Sequence, residues 1–285
     1  MKEKLKKVGN LLFVCLVLII AGILFQGQDA QAETNIGSYK LSDSKPTKKY
    51  DVTGDGKADK IEIKKYIKPL DDYKYQGYKI WIDGKMVLKN TKTEYSKMNV
   101  FFVKTKKYNY FMVYNQDLDG VRYVNFYRYS GKQLKKCISL HNIVDINMGL
   151  FTDYKISSVK ANSIKIKISG QTNMLGWTKA SLVLKVGKGG KLSFAKKILG
   201  VSCYKINLNN RQITPKYLTT TKKIQVYKNE RTTKKAFSIK KGSKVRITKM
   251  SIKRKKITYY CVTKSGRKGW MKSDIYLFKG LIYAG

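Results

Sequence analysis

Histidine is almost missing from this chain: His141 is the only one in 285 residues. Zinc hydrolases draw their ligands from several His and Cys side chains, so one imidazole without a cysteine cluster excludes the usual zinc sites. A cysteine peptidase is opposed on the same ground, since its thiol needs an imidazole base and an orienting partner. Cys137 lies four residues before His141, yet on a strand that spacing puts them about 13 Å apart. Acids are also scarce, 18 Asp and Glu against 60 Lys and Arg. Beyond residue 32 the glutamates are Glu33, Glu62, Glu94 and Glu230, none set as one of the paired carboxylates of a glycosidase. Asp71-Asp72 and Asp117/Asp119 stay as formal alternatives. The chain reads as a non-enzyme, with a cell-wall hydrolase or hydrolase accessory as a distant alternative.

Cysteine and proline are nearly as sparse, at four and three. Cys15 falls in an apolar leader. Cys137, Cys203 and Cys261 are an odd set, far apart and without a CxxC pair, so they read as small apolar residues and not as a disulfide framework. What is abundant is positive charge, a formal +42 spread along the whole length. Residues 211–285 contain only two acids, Glu230 and Asp274. Such a field attracts polyanions over a Debye length and makes self-repulsion large. The bland alternative is solubility alone.

The first 32 residues read as a secretory signal peptide. Lys2, Lys4, Lys6 and Lys7 form a basic start, Leu11 to Phe25 is an uncharged apolar run, and Ala30-Gln31-Ala32 is a small-x-small cleavage site. The apolar run falls short of the roughly 20 residues that a membrane span needs. Cleavage after Ala32 and a secreted, cell-surface location are therefore expected. The alternative is an uncleaved membrane anchor.

Beyond the leader, apolar residues recur with period two. Ile61, Ile63 and Ile67 alternate with Glu62, Lys64 and Tyr66; Ile164, Ile166 and Ile168 alternate with Lys165 and Lys167; Val245 and Ile247 alternate with Lys244 and Arg246. Each run gives one apolar and one polar face, as antiparallel strands require. The fold class expected is all-β. Gly-Lys turns at 84, 131 and 190 suggest three degenerate β units over 33–208. The polar stretch Asn207 to Pro215 marks a boundary, with a linker at 209–216 and a second domain over 217–285.

The acids that do occur cluster. Asp51, Thr53, Asp55 and Asp59 stand at loop positions 1, 3, 5 and 9, with the Lys57 carbonyl at position 7 and Gly56 at the turn. That spacing suits one hard cation such as Ca²⁺. Glu62 falls at position 12, but inside a strand alternation, and no helix flanks the loop. This segment resembles the calcium loops of FG-GAP and VCBS repeats, and Asn115 to Gly120 resembles them more weakly. The resemblance implies a structural calcium ion and blade-like units, too few here for a closed propeller. An Asp/Gly-rich turn without metal is the alternative.

From about Tyr217 the chain resembles a bacterial SH3-like (SH3b) domain. The matching stretches are Ile224 to Tyr227, Phe237 to Gly242, Lys244 to Ile247, Tyr259 to Val262 and Gly266 to Lys272 (GRKGWMK). The resemblance implies a small barrel that contacts peptidoglycan or its cross-bridges, with Tyr259, Trp270 and Arg246 as candidate ligand contacts. Trp270 reads more readily as core than as a ligand contact, since large aromatics dominate small-domain cores. The expected function is a secreted, envelope-associated binding or structural protein whose partner is peptidoglycan or teichoic acid, with membrane contact only if the leader is retained. The rival is a secreted binder of nucleic acid or host polyanions, suggested by 21 tyrosines interleaved with lysine, as in residues 73–79.

Overall fold

The period-two alternation becomes strand after strand. The computed structural model describes residues 35–281 apart from 69–70, 92–94, 96, 118–119, 141–150, 173, 197, 207–211, 254–255 and 275, and beside several of these gaps only the backbone is described. The leader with Cys15, and Glu33, Glu94, Asp119 and His141, lie outside the described residues, as do the side chains of Asp71, Asp72 and Asp117.

In chain order the first strands are β1 (Gly37–Leu41), β2 (Thr47–Tyr50), β3 (Asp59–Lys68), β4 (Asp71–Ile82), β5 (Lys85–Asn90), β6 (Lys97–Lys104), β7 (Asn109–Asp117), β8 (Gly120–Tyr129) and β9 (Leu134–Ser139). They are followed by β10 (Phe151–Lys160), β11 (Ser163–Thr172), β12 (Gly176–Val186), β13 (Leu192–Phe194), β14 (Ile198–Cys203), β15 (Lys205–Ile206) and β16 (Gln212–Ile213). The last are β17 (Leu218–Thr219), β18 (Ile224–Tyr227), β19 (Lys235–Ile239), β20 (Lys244–Lys253), β21 (Lys256–Thr263) and β22 (Lys268–Lys272). No α-helix occurs among the described residues, and the fold is all-β.

The strands form a four-stranded sheet in the order β2-β3-β4-β5, a five-stranded sheet β1-β6-β7-β8-β9, and a long sheet β10-β11-β12-β14-β20-β21-β22-β18-β19 with β13 and β17 at its sides. All pairings are antiparallel among the described strands. The expected alternation holds. Ile164, Ile166 and Ile168 are buried while Lys165 and Lys167 face solvent, and Val245 and Ile247 are buried while Lys244 and Arg246 are exposed. The turns fall where glycine was expected. Asp83 (φ 48°) and Gly84 (φ 75°) join β4 to β5 in left-handed backbone, the geometry of a tight hairpin.

The five-stranded sheet is the middle layer and is buried on both faces. In β7, Tyr110, Phe111, Met112, Val113 and Tyr114 are all at most 5% exposed. Phe111 and Val113 pack with Ile61, Ile80 and Phe102 in one core. Tyr110, Met112 and Tyr114 pack with Ile164, Ile166 and Leu182 in the other. A strand covered on both sides must read as a continuous apolar run, which is the composition of β7.

The second core does not stop at the expected boundary. It runs on through Val226, Val245, Met250, Tyr259 and Met271. β14 explains this continuity, since it pairs with β12 on one edge (Thr178 with Cys203) and with β20 on the other (Gly200 with Lys249). Beside the expected linker is one small ladder, where Lys205 pairs with Ile213 and Ile206 with Gln212. The two expected domains are thus joined by one hydrogen-bonded sheet.

Candidate functional sites

The acidic loop is closed by its own backbone. The carboxylate of Asp51 accepts the N–H groups of Gly54 and Gly56, the latter at 3.0 Å. Asp55 accepts from Lys57 N–H at 2.9 Å. Asp59, 4% exposed, accepts from the N–H groups of Val52 and Thr53 and from the Thr53 hydroxyl. Gly54 and Gly56, at φ 90° and 86°, supply the curvature that lets these bonds close. Among the described residues no three His, Cys, Asp or Glu side chains are grouped to hold a metal ion. In this arrangement the carboxylates of Asp51, Asp55 and Asp59 all accept backbone N–H groups of the loop. In the weaker second segment, Asn115 is 1% exposed and its side-chain amide has no partner among the described residues. The acids that follow it lie outside the described side chains.

Burial is the main cause that raises the Asp59 carboxyl above its ordinary pKa. The N–H donors oppose this shift, and the neighbouring Asp83 carboxyl adds to it. Asp83 in turn accepts from Lys60 N–H at 2.7 Å. A carboxyl whose pKa is raised by folding favours the folded state at acid pH and loses that contribution as pH rises through the raised value.

The expected ligand contacts of the C-terminal unit are placed differently from one another. Tyr259 is 1% exposed and lies in the core that also holds Ile164, Ile166 and Leu182 of β11 and β12. Burial raises its phenol well above the usual value. Trp270 is 7% exposed and packs edge-on against Tyr260 at 5.2 Å. Both side chains are buried in this structure. Gly269 makes room for a crossing strand and not for a bend: a Cβ there would stand 2.6 Å from Val226 Cγ1 and 2.7 Å from the Tyr227 carbonyl oxygen. Arg246 is exposed and lines a cleft of about 340 Å³ with Thr214, Pro215 and Lys216, where β14 and β20 part company.

Two larger clefts were not legible from the sequence. One of about 590 Å³ lies over β10, β11, β12 and β14 and carries Lys155, Lys167 and Lys179 beside Asp153. The other, about 650 Å³, lies between the turn that enters β20 and the turn that leaves β21. Phe237 to Lys240, Lys244 and Arg267 fall inside the stretches that carry the SH3-like resemblance, but only the fold brings the two turns together.

The aromatic–lysine interleaving has an internal use. Lys79 lies over Tyr66 (4.7 Å) and Trp81 (6.0 Å), Lys179 over Tyr204 (4.7 Å), Lys249 over Tyr260 (5.3 Å) and Lys272 over Tyr227 (5.7 Å). One face of each of these rings is met by the protein's own cation. The thiols are equally unprepared for chemistry: burial raises the pKa of Cys137 and pushes Cys261 up to about 11, away from the thiolate form. No protein family, curated protein or solved structure matches the chain.

The Asp59–Asp83 contact yields a direct test. Asp83→Asn suits the left-handed position and replaces a carboxylate beside Asp59 with an N–H donor. Urea unfolding near pH 7 is expected to show a gain of about 0.5–1.5 kcal/mol. The gain should shrink towards about pH 4, where a protonated Asp59 can itself donate. An Asp83→Asn variant no more stable than wild type near pH 7 would contradict the contact.

Proposed function

We propose that this chain is a non-enzymatic, secreted protein of the bacterial envelope that holds to anionic wall polymers or peptidoglycan through its cationic surface. The observation that carries the reading is the surplus of cations over acids on a fully packed β framework. With 60 basic and 18 acidic residues, most cations have no internal acid to meet. The described ion pairs are few, among them Lys60–Glu62 at 2.6 Å and Lys222–Asp274 at 2.7 Å. Lysines on solvent faces therefore present their charge outward. In this reading the three stacked sheets over residues 37–203 are the blade-like units, and 217–281 is the SH3-like unit. Nucleic acid is the second reading, because several of the rings that could stack bases already carry a cation of this chain over one face.

Retention on purified sacculi tests it. The mature protein should sediment with sacculi that carry teichoic acid, less with stripped sacculi, and be released as salt rises. Failure to sediment with either would overturn the reading.

For the 51–59 loop we propose a structural role, with calcium as the ion it would take if Asp51 and Asp55 turned from backbone N–H groups to a shared centre. Calorimetric titration decides: uptake that an Asp51→Ala, Asp55→Ala variant loses would establish the ion, and a flat wild-type trace would leave a metal-free turn.

A further inference from the structure

The 650 Å³ cleft of the C-terminal unit differs from the 590 Å³ cleft in that no acid lines it. Lys240 and Lys244 stand on one wall, Lys264 and Arg267 on the other, with the Phe237 ring between them. The walls are pinned. Lys264 N–H donates to the Lys244 carbonyl at 2.9 Å, which ties one turn to the other. The Thr220 hydroxyl donates to the Lys240 carbonyl at 2.9 Å, and Gly242 N–H donates to the Thr220 carbonyl at 2.9 Å. Across the cleft, Thr263 N–H donates to the Arg267 carbonyl at 2.8 Å.

The four cations are available. All are exposed, and no described ion pair engages any of them. The unit's two acids do not compete: Asp274 is held by Lys222, and Glu230 does not line the cleft. The Arg267 guanidinium lies 3.8 Å from the centre of the Phe237 ring. Stacking of this kind fixes the plane of the guanidinium while its N–H fork stays free to grip an oxyanion. It also covers the only aromatic ring in the cleft, so a nucleobase has nothing to stack on. The remaining lining includes the hydroxyls of Ser243 and Ser265, which suit a hydroxylated linker between anionic groups.

We propose that this cleft binds successive phosphate groups of a base-free polyol-phosphate polymer, with Lys240, Lys244, Lys264 and Arg267 as the phosphate contacts. The proposal deepens the wall-binding reading and rests on it only for where such a polymer is met.

The test is titration of the full mature chain with a short synthetic glycerol-phosphate oligomer at physiological salt. The variant is Lys244→Gln with Lys264→Gln, both on exposed turn residues. The control removes the same charge elsewhere, Lys165→Gln with Lys185→Gln on exposed positions of β11 and β12. The cleft variant should lose about tenfold or more in affinity, and the control about twofold or less. Arg267→Lys, which keeps the charge and loses the fork, should fall between wild type and the double variant. Thermal melts confirm that each variant is folded.

Equal losses in the cleft variant and the control would show diffuse attraction and overturn the proposal. So would a single-stranded DNA oligomer of matched charge that binds the wild type as tightly and loses as much in the cleft variant. Wall binding separates from this. If the cleft variant sediments with teichoic-acid-bearing sacculi as well as the wild type does, the cleft proposal falls and the wall reading stands. If the wild type fails to sediment but oligomer binding depends on the cleft, the wall reading falls and the cleft stands.

Discussion

The burial of one sheet on both faces is the constraint from which the rest of this structure follows. Every residue from Tyr110 to Tyr114 is committed to one core or the other, and Phe102 beside Val103 on β6 and Phe126 beside Tyr127 on β8 divide between the two cores in the same way. Two outer sheets are then obligatory, because each apolar face of the middle layer has to be covered. Charge can sit only on the outer faces of those sheets and in the turns. A chain with this surplus of lysine folds because none of that charge is asked to enter the cores. Part of the surplus is also settled against its own aromatic rings.

The same logic places the candidate cleft. The second core reaches past β12 into the C-terminal unit, and β14 carries the hydrogen-bond ladder across. Tyr259 is buried in that shared core. The turns that wall the cleft are thus carried on strands β20 and β21, which belong to the long sheet and do not hang on a linker. A site held on packed strands loses less freedom when it binds than one on a loose tether.

Much of the fold was legible in the sequence because strands announce themselves locally. Ile164-Lys165-Ile166-Lys167-Ile168 could be little else, and Asp83-Gly84 is a hairpin turn by its residue types. Even the burial of Tyr259 was available, since Ile257, Tyr259 and Cys261 alternate inward together. What local patterns do not encode is which strand pairs with which. The polar residues 207–215 look like a linker, yet the ladder bypasses them through β14, a partnership fixed by cores far away in sequence. The acidic loop shows the same limit in another form. Its spacing matches a cation loop, but spacing does not say whether Asp51 and Asp59 turn to an ion or to the loop's own N–H groups. The cleft was hidden because Lys240 and Lys264 come to one cleft only once β20 pairs with β21 and β19 folds back at the far edge of the same sheet.

If one sheet and one shared core run through both halves, the two should unfold as a unit. Differential scanning calorimetry of residues 33–285 measures this directly. The account predicts a single endotherm whose calorimetric and van't Hoff enthalpies agree. Two resolved transitions, with 217–285 melting independently of the rest, would contradict it.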